Sequence, residues 1–521
     1  MNDSYSDKLP ETAADFSLLN RSVSVEDMME ARERRARIQE QLIQTYHVPV
    51  ISFTLNIPGP VKILPGTPEF FRHGSESVRK ALKEASVPII FETQLTEHTG
   101  LELFLCADAG PEVLKQITAS LEEKTAGGRL YDIDIIRTDG SKVSREEIGL
   151  PGRCCLLCGA PAHACSRSRK HTVDELVSRI QQLIEEDLFL ERLFLAAREA
   201  LTDEVSATPK PGLVDRLDNG SHQDMCYETF LNSAEAIAPY IRTMAEQGLH
   251  FSRQMAHEDE KEQDLSLLFS QIRKTGLLAE TAMFDATGGV NTHKGIIFSM
   301  GILAASAGFL FGQGRLFQPD LKKSIQMPVL NSSFNLSQLL SLSRRLCQKE
   351  ILEDFSALEQ LRQQADKGVG TGNVHFSHGE KLYLACGCRG IRGEASDGFP
   401  ALSSVSMKAF SSALELLGAK TEISGDIWNR ACLQTLLSLM AQVEDTNVIH
   451  RGGMDAAAYV KEQACKALLE GGAVKSGWRA RLSAMNQDFI EKNISPGGCA
   501  DLLALTVFLL RLQEISPEEC F

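Results

Sequence analysis

The feature that most constrains this fold is a change of hydrophobic period near Ile180. Before it, short alternating segments read as strands: VISFTLNI from Val50, VPIIFETQ, LELFLCA, and RLYDIDIIR from Arg129. Alternation puts every second side chain on one face of a pleated backbone. Stretches of helical period lie between them: SVEDMMEARERRARIQEQLIQTY from Ser24, SESVRKALKEA from Ser75 and PEVLKQITASLEEKT. Beyond the change, alternation nearly disappears. Helix-length segments such as ETFLNSAEAIAPYIRTMAEQG, LSLLFSQIRKTGLLAETAMF, WNRACLQTLLSLMAQVE and ADLLALTVFLLRLQEI are joined by loops rich in Gly, Asn, Asp and His. HTVDELVSRIQQLIEEDLFLERLFLAAREALTDE, from His171, reads as one continuous helix across the change. A chain of 521 residues is long for a single core. The pattern predicts two domains, an α/β (α+β) one over residues 1–182 and a mostly α-helical one over 183–521.

Charge and cysteine usage narrow the functional classes. A net charge of −15 argues against a nucleic-acid binder working by broad phosphate attraction, though a local basic pocket for a small polyphosphate remains open. Thirteen cysteines, behind an N-terminus (MNDSYSDKLPETAADF) without an apolar core, point to the reducing cytoplasm. The apolar stretch GIIFSMGILAASAGFLFG, from Gly295, is short and full of small residues. It is expected as a buried core helix, with no membrane span.

In RLYDIDIIR, Asp132 and Asp134 are two apart on a predicted strand, so both carboxylates share one face. Such a pair can hold Mg²⁺ against polyphosphate oxygens; the plainer alternative is a strand with one wet face. Downstream, GRCCLLCGAPAHACSRSRKH sets Cys155, Cys158, Cys165 and His171 at spacings compatible with zinc, although not those of a standard finger. Arg153, Arg167 and Arg169 form a local basic cluster suited to phosphate or an acidic partner. Together NIPGPVK, GRLYDIDIIRTDG and RCCLLCGAPAHACSRSRKH resemble the citrate lyase holo-acyl-carrier-protein synthase family, over roughly residues 20–180. The resemblance implies a nucleotidyltransferase-like domain. It would transfer a phosphoribosyl-dephospho-CoA group onto a serine of the citrate lyase acyl carrier subunit (gamma chain), releasing pyrophosphate. Asp132 and Asp134 would then bind Mg²⁺ and the arginines would hold phosphate or carrier. The base could be either aspartate or a bound hydroxide.

The second half carries five polar loops. KPGLVDRLDNGSHQDM gathers Lys210, Asp215, Asn219, His222 and Asp224; GGVNTHKG places Asn291, His293 and Lys294 before an apolar helix. GCRGIRGEASDGFP supplies Arg389, Arg392 and Glu394; EDTNVIHRGG supplies Asp445, Asn447 and Arg451; SPGGCADLLA places Asp501 at a helix start. One such loop is ordinary capping and turn chemistry. Five at the ends of one helical domain can build a site for metal and polyphosphate. No G-x-x-x-x-G-K-[ST] element is present, which sets aside a P-loop fold.

In order, these loops resemble the triphosphoribosyl-dephospho-CoA synthase family over roughly residues 185–521. That family joins the ribose of ATP to the 2′-hydroxyl of 3′-dephospho-CoA and releases adenine. By that resemblance Asp215, Asp224 and Asp445 bind Mg²⁺ or act on the ribose; Lys210, Lys294, Arg392 and Arg451 hold phosphates. Glu394 and His222 are acid–base candidates, while Asn219, Asn291 and Asn447 orient ribose or metal-bound water, with His293 and Asp501 beside them. Arg216 and Asp218 are expected to be ordinary loop charges. The two implied reactions are consecutive, so a tether would raise the local concentration of the intermediate. The rival is a metal-dependent nucleotide hydrolase whose N-terminal half only docks the carrier as a chaperone.

Overall fold

In a computed structural model of the chain the described residues are 21–255, 264–319, 332–366, 376–419 and 423–513. Two compact units meet in sequence between Phe189 and Leu190.

The first unit contains α1 (Val25–Tyr46), β1 (Val50–Leu55), α2 (Thr67–Glu84), β2 (Ile89–Glu97), β3 (Gly100–Ala107), α3 (Pro111–Lys124), β4 (Tyr131–Ile136) and α4 (Ala162–Ser168), and α5 (Val173–Ser206) begins there. The sheet order is β2-β3-β1-β4, with every pairing antiparallel. The first domain is therefore α+β and has no parallel strands among the described residues. Alternation sorts the two faces. Ile51, Phe53, Leu103, Leu105, Ile133 and Ile135 meet Phe70, Phe71, Val78 and Leu82 of α2, Leu114 of α3 and Ile180 and Ile184 of α5. Val50, Phe104, Cys106 and Ile136 meet Leu42 of α1 on the other side. Helix α2 starts at Thr67, earlier than the predicted Ser75, because Gly66 takes a left-handed cap (φ 76°) and a proline sits in the first turn. The diphenylalanine thereby joins the core.

The second unit continues from α5 through α6 (Tyr227–Gln254), α7 (Ser266–Thr287), α8 (Lys294–Gly312), a short antiparallel pair of strands β5 (Phe317–Pro319) and β6 (Ser332–Phe334), α9 (Leu336–Asp366), α10 (His378–Cys386), α11 (Gly390–Ser396), α12 (Met407–Leu416), α13 (Gly425–Gln442), α14 (Thr446–Leu469), α15 (Trp478–Glu491) and α16 (Gly497–Leu512). Helix α8 is the apolar stretch at Gly295. It has the length and composition of a membrane span, yet 78% of its apolar window is buried inside the unit. Its small residues let α6 approach at backbone distance: a Cβ on Gly308 would lie 1.9 Å from the Ala245 carbonyl oxygen, and one on Gly248 1.9 Å from that of Ala305. Two of the expected loops are helical. Asp445 caps α14 by accepting from Asn447 N and Val448 N, so TNVIHR forms its first turns up to a break at Gly453 (φ 72°). Likewise GIRGEAS forms α11.

Candidate functional sites

On β4, Asp132 and Asp134 lie on the solvated face, with side chains 50% and 36% exposed, while Ile133 and Ile135 are buried. Asp134 pairs with Lys142 at 2.5 Å, and Arg153 stands 3.8 Å from Asp132. Helix α3 covers the free edge of this strand: Lys115 Nζ donates to the Ile133 carbonyl (2.6 Å) and Glu122 accepts from Ile133 N (3.2 Å). Glu122, 3% exposed, is paired with Arg145 (2.7 Å) and Arg153 (2.6 Å). Burial lowers the Lys115 pKa against the pull of that carboxylate. Lys115, Glu122 and Arg145 were not anticipated from the sequence, because a helix with charges at these positions looks like any solvated face.

Just before β4, Arg129 donates to the carbonyls of Cys154 (2.8 Å) and Cys155 (3.2 Å), docking the cysteine segment beside the start of that strand. The ligand atoms of Cys155, Cys158, Cys165 and His171 all lie within 4.8 Å of one another. The Cys158 thiol is held down at about 6, first by the His171 ring and then by the Ala160 N–H, whereas Cys158 pushes its neighbour Cys165 up to about 11. Arg167 and Arg169 are exposed at the end of α4.

In the second unit, a cavity of about 1420 Å³ gathers residues from every one of the polar motifs. It is lined by the first residues of α8 (Lys294, Gly295), α14 (Thr446, Asn447) and α16 (Gly497, Gly498), with Gly379 and Lys381 near the start of α10. Helix N-termini carry unpaired N–H groups and the positive end of the helix dipole, so their convergence suits polyphosphate. Asn291 caps α8 by accepting from Lys294 N (3.3 Å). The Asp445 carboxylate joins two of these ends, accepting from Asn447 N (2.9 Å) and from Cys499 N of α16 (2.8 Å). The Pro-Gly-Gly turn makes room for it: a Cβ on Gly498 would stand 3.1 Å from that carboxylate.

Acids crowd the same wall. Burial raises the pKa values of Glu204, Asp445 and Asp501, and Asp501 is pushed further by the charges of Glu204 and Asp445. Lys210, 1% exposed, donates to Glu204 at 2.5 Å and lowers it in part. Glu394 accepts from Ala401 N (3.1 Å), and burial, then Asp397, raises its pKa. Two of the histidines lining the cavity, His222 and His293, have lowered pKa values. Burial, then the Arg451 charge, lowers His222 to about 4; its Nδ1 faces Arg451 (3.2 Å) and its Nε2 faces Ser495 (2.7 Å). His293 falls to about 3 by burial; Ser233 holds its Nδ1 at 2.7 Å, while Nε2 is buried with no partner among the described residues.

Several expected site residues are placed otherwise. Asp215 does not line the cavity: its carboxylate accepts from the backbone of Lys210 (2.7 Å), Leu217 (2.6 Å) and Asp218 (3.3 Å), framing its own loop. Aspartate is a turn former as well as a metal ligand, and here the turn wins. Asp224, 67% exposed, and the exposed Asn219 also lie outside the cavity lining. Arg392 turns away to Asp354 (3.4 Å) and Glu380 (3.8 Å), and Lys294 pairs with Glu280 (2.8 Å) at the rim. Asp218 is more than a loop charge, since Asn486 of α15 donates to it (2.9 Å) while accepting from Gly212 N (2.8 Å). Glu204 was missed because it sits inside α5 with no motif around it.

Comparison with known proteins divides the chain in the same way. Residues 23–187 match the family model described as apo-citrate lyase phosphoribosyl-dephospho-CoA transferase, and residues 190–520 match that of ATP:dephospho-CoA triphosphoribosyl transferase. Protein CitXG of Haemophilus influenzae is 33% identical over 497 residues, covering 95% of this chain and 97% of the relative. Protein CitXG of Leuconostoc mesenteroides subsp. cremoris is 30% identical over 503 residues, covering 93% and 96%. The 2-(5''-triphosphoribosyl)-3'-dephosphocoenzyme-A synthase of Haemophilus ducreyi is 34% identical over 360 residues, 68% of this chain and 99% of the relative.

Proposed function

The chain belongs to the family that fuses these two transferases, and from that premise we propose that it builds the citrate lyase prosthetic group and attaches it. In the helical unit the 2′-hydroxyl oxygen of 3′-dephospho-CoA attacks the anomeric carbon of the ATP ribose. The glycosidic bond to adenine breaks and the triphosphate is retained. In the α+β unit a carrier serine hydroxyl attacks the α-phosphorus of that product and pyrophosphate leaves. The first domain is read as nucleotidyltransferase-like, the carrier as the acyl carrier (gamma) subunit of citrate lyase, and the compartment as the cytoplasm. The free state of all twelve described cysteines supports that last reading. Neither nucleic acid nor membrane has a part in it.

The cavity is the observation that carries the first reaction. At about 1420 Å³ it exceeds the roughly 300–1,000 Å³ of a single small-molecule site. Two nucleotides must lie there together. Lys210, Lys294, Arg451 and the helix N-termini meet the phosphates. Glu394, whose pKa is raised by burial, can reach the purine as a proton donor. Glu204 and Asp501 stabilise positive charge developing on the ribose, and one of them takes the 2′-hydroxyl proton. Glu204, Asp445 and Asp501, the first two of which push up the pKa of the third, also fit Mg²⁺, with Glu204 and Asp501 as its ligands. Bound there, Mg²⁺ would neutralise triphosphate charge. Asp132 and Asp134 offer the corresponding pair in the α+β unit, with Arg153 beside them. No step of either transfer runs through the cysteine cluster.

The test is mass spectrometry of apo-carrier incubated with the protein, ATP, Mg²⁺ and 3′-dephospho-CoA. The expected result is a carrier heavier by one phosphoribosyl-dephospho-CoA group, with adenine and pyrophosphate released. Asp132→Asn together with Asp134→Asn should stop carrier modification and leave adenine release intact. Release of ribose triphosphate or phosphate without an acceptor would instead mark a hydrolase.

A further inference from the structure

Residues 151–170 fold without a core of their own. Of these twenty, the only buried ones are Cys155 and Cys165, and Leu156 alone is a partly buried hydrophobic packed against the core of the unit. Yet the segment has definite structure. Cys154 bridges Pro161, Ala162 N donates to the Arg153 carbonyl (2.9 Å), and helix α4 follows. A segment this short, with so little apolar surface to bury, needs a covalent or metal cross-link to hold one conformation.

The geometry supplies the place for one. Cys155-Leu-Leu-Cys158-Gly159 forms a tight knuckle: Gly159 takes a left-handed φ of 68°, and its N–H donates to the Cys155 carbonyl (3.3 Å). That turn brings both thiols into one group, Cys155 buried and Cys158 exposed. Cys165 arrives from α4 with its Sγ 3.4 Å from that of Cys158, and His171 closes the group from the residues preceding α5. Its Nε2 is buried with no hydrogen-bond partner among the described residues. Bonds of about 2.3 Å to sulfur and 2.0 Å to nitrogen put tetrahedral ligands just under 4 Å apart, close to the 4.8 Å within which these four lie. Four donors leave no open position.

We propose that Cys155, Cys158, Cys165 and His171 bind one structural zinc ion, and that this clasp fixes Arg153 beside Asp132. Arg153 stands near the start of the segment, and Arg129 pins the carbonyls of Cys154 and Cys155 beside the start of β4. The ion therefore serves as the missing core and positions the guanidinium that meets Glu122 and Asp132. A disulfide between Cys158 and Cys165 is the competing cross-link, but it would leave Cys155 and the buried His171 nitrogen without a role.

The full chain, purified under reducing conditions from zinc-supplemented cells without a metal-affinity step, is analysed by elemental mass spectrometry. The expected result is close to one zinc per chain. Cobalt in its place should give thiolate-to-metal charge-transfer bands. Cys158→Ser and His171→Ala should lose the metal, whereas His171→Cys, which keeps four donors, should retain it. Carrier modification should fall in the two metal-free variants, while adenine release, performed by the other unit, stays at the parental rate. A metal-free parent, a cobalt spectrum without thiolate bands, or unchanged zinc in Cys158→Ser would overturn the site. Undiminished carrier modification after loss of zinc would overturn the positioning of Arg153. The positioning role rests on the transferase reading of this unit and the ion does not: stoichiometric zinc in a parent chain that never modifies carrier would sink that reading and leave the metal site standing.

Discussion

Replacing Glu204 and Lys210 singly and together separates the structural role of this buried pair from its catalytic one. The two side chains are 5% and 2% exposed and 2.5 Å apart. Removing the carboxylate strands an ammonium in the interior, and breaking a buried pair from one side costs roughly 3–5 kcal/mol. Lys210→Met is milder, because burial already raises the pKa of Glu204, which then becomes neutral by taking up a proton. The double variant, with no charge left, should regain stability to within about 1 kcal/mol of the parent. Its adenine release should nevertheless stay down by at least about 10²–10³-fold, the usual loss when one stabilising group is removed, because the phosphate-binding Lys210 and the ribose-facing Glu204 are both gone. The assay is specific to the helical unit. The chain has two tryptophans, Trp428 and Trp478, both buried there, so tryptophan fluorescence during urea unfolding reports that unit alone. If Glu204→Gln shifts the transition by less than about 1 kcal/mol, the pair is not the buried one described. If the double variant releases adenine at the parental rate, neither Lys210 nor Glu204 takes part in the transfer.

Asp501→Asn should be inactive yet more stable at pH 7 by about 0.5–2 kcal/mol. Its folded pKa lies well above the ordinary 3.8, so the parent loses stability as pH rises from 3.8 towards the folded value; the gap between variant and parent should therefore close near pH 3.8 and open above it. His293 works in the opposite sense. Depressed to about 3 from 6.5, it stays neutral in the fold while the unfolded chain binds a proton, so stability is lost as pH falls below 6.5, by up to about 1.4 kcal/mol per unit. His293→Asn should remove that part of the slope in unfolding midpoints measured between pH 7 and 5; an unchanged slope would mean the imidazole is charged in the fold. Gly308→Ala drives a methyl against the Ala245 carbonyl and should cost about 1–3 kcal/mol in the tryptophan transition, with no loss expected if α6 and α8 were further apart.

Local pattern alone decided much of this protein. The strands, the helical character of the second half and the shared face of Asp132 and Asp134 follow from periods of two and 3.6, which neighbouring residues set among themselves. The family resemblance was legible for a related reason: contiguous motifs survive as strings whatever their surroundings. Starts and partners were less legible. Helix α2 begins at Thr67 because a left-handed glycine caps it, and DTNVIHR is helical because Asp445 finds two helix ends at once.

The division of labour inside KPGLVDRLDNGSHQDM belonged wholly to the tertiary structure. By residue type Asp215, Asp218, Asp224 and Lys210 are all ligand-grade, and nothing local ranks them. Packing turns Asp215 onto its own backbone, gives Asp218 to Asn486, leaves Asp224 in solvent and buries Lys210 against Glu204. The physical reason is that a carboxylate's role depends on which donors reach it and how much water it loses. Both are set by residues up to 268 positions away in the chain.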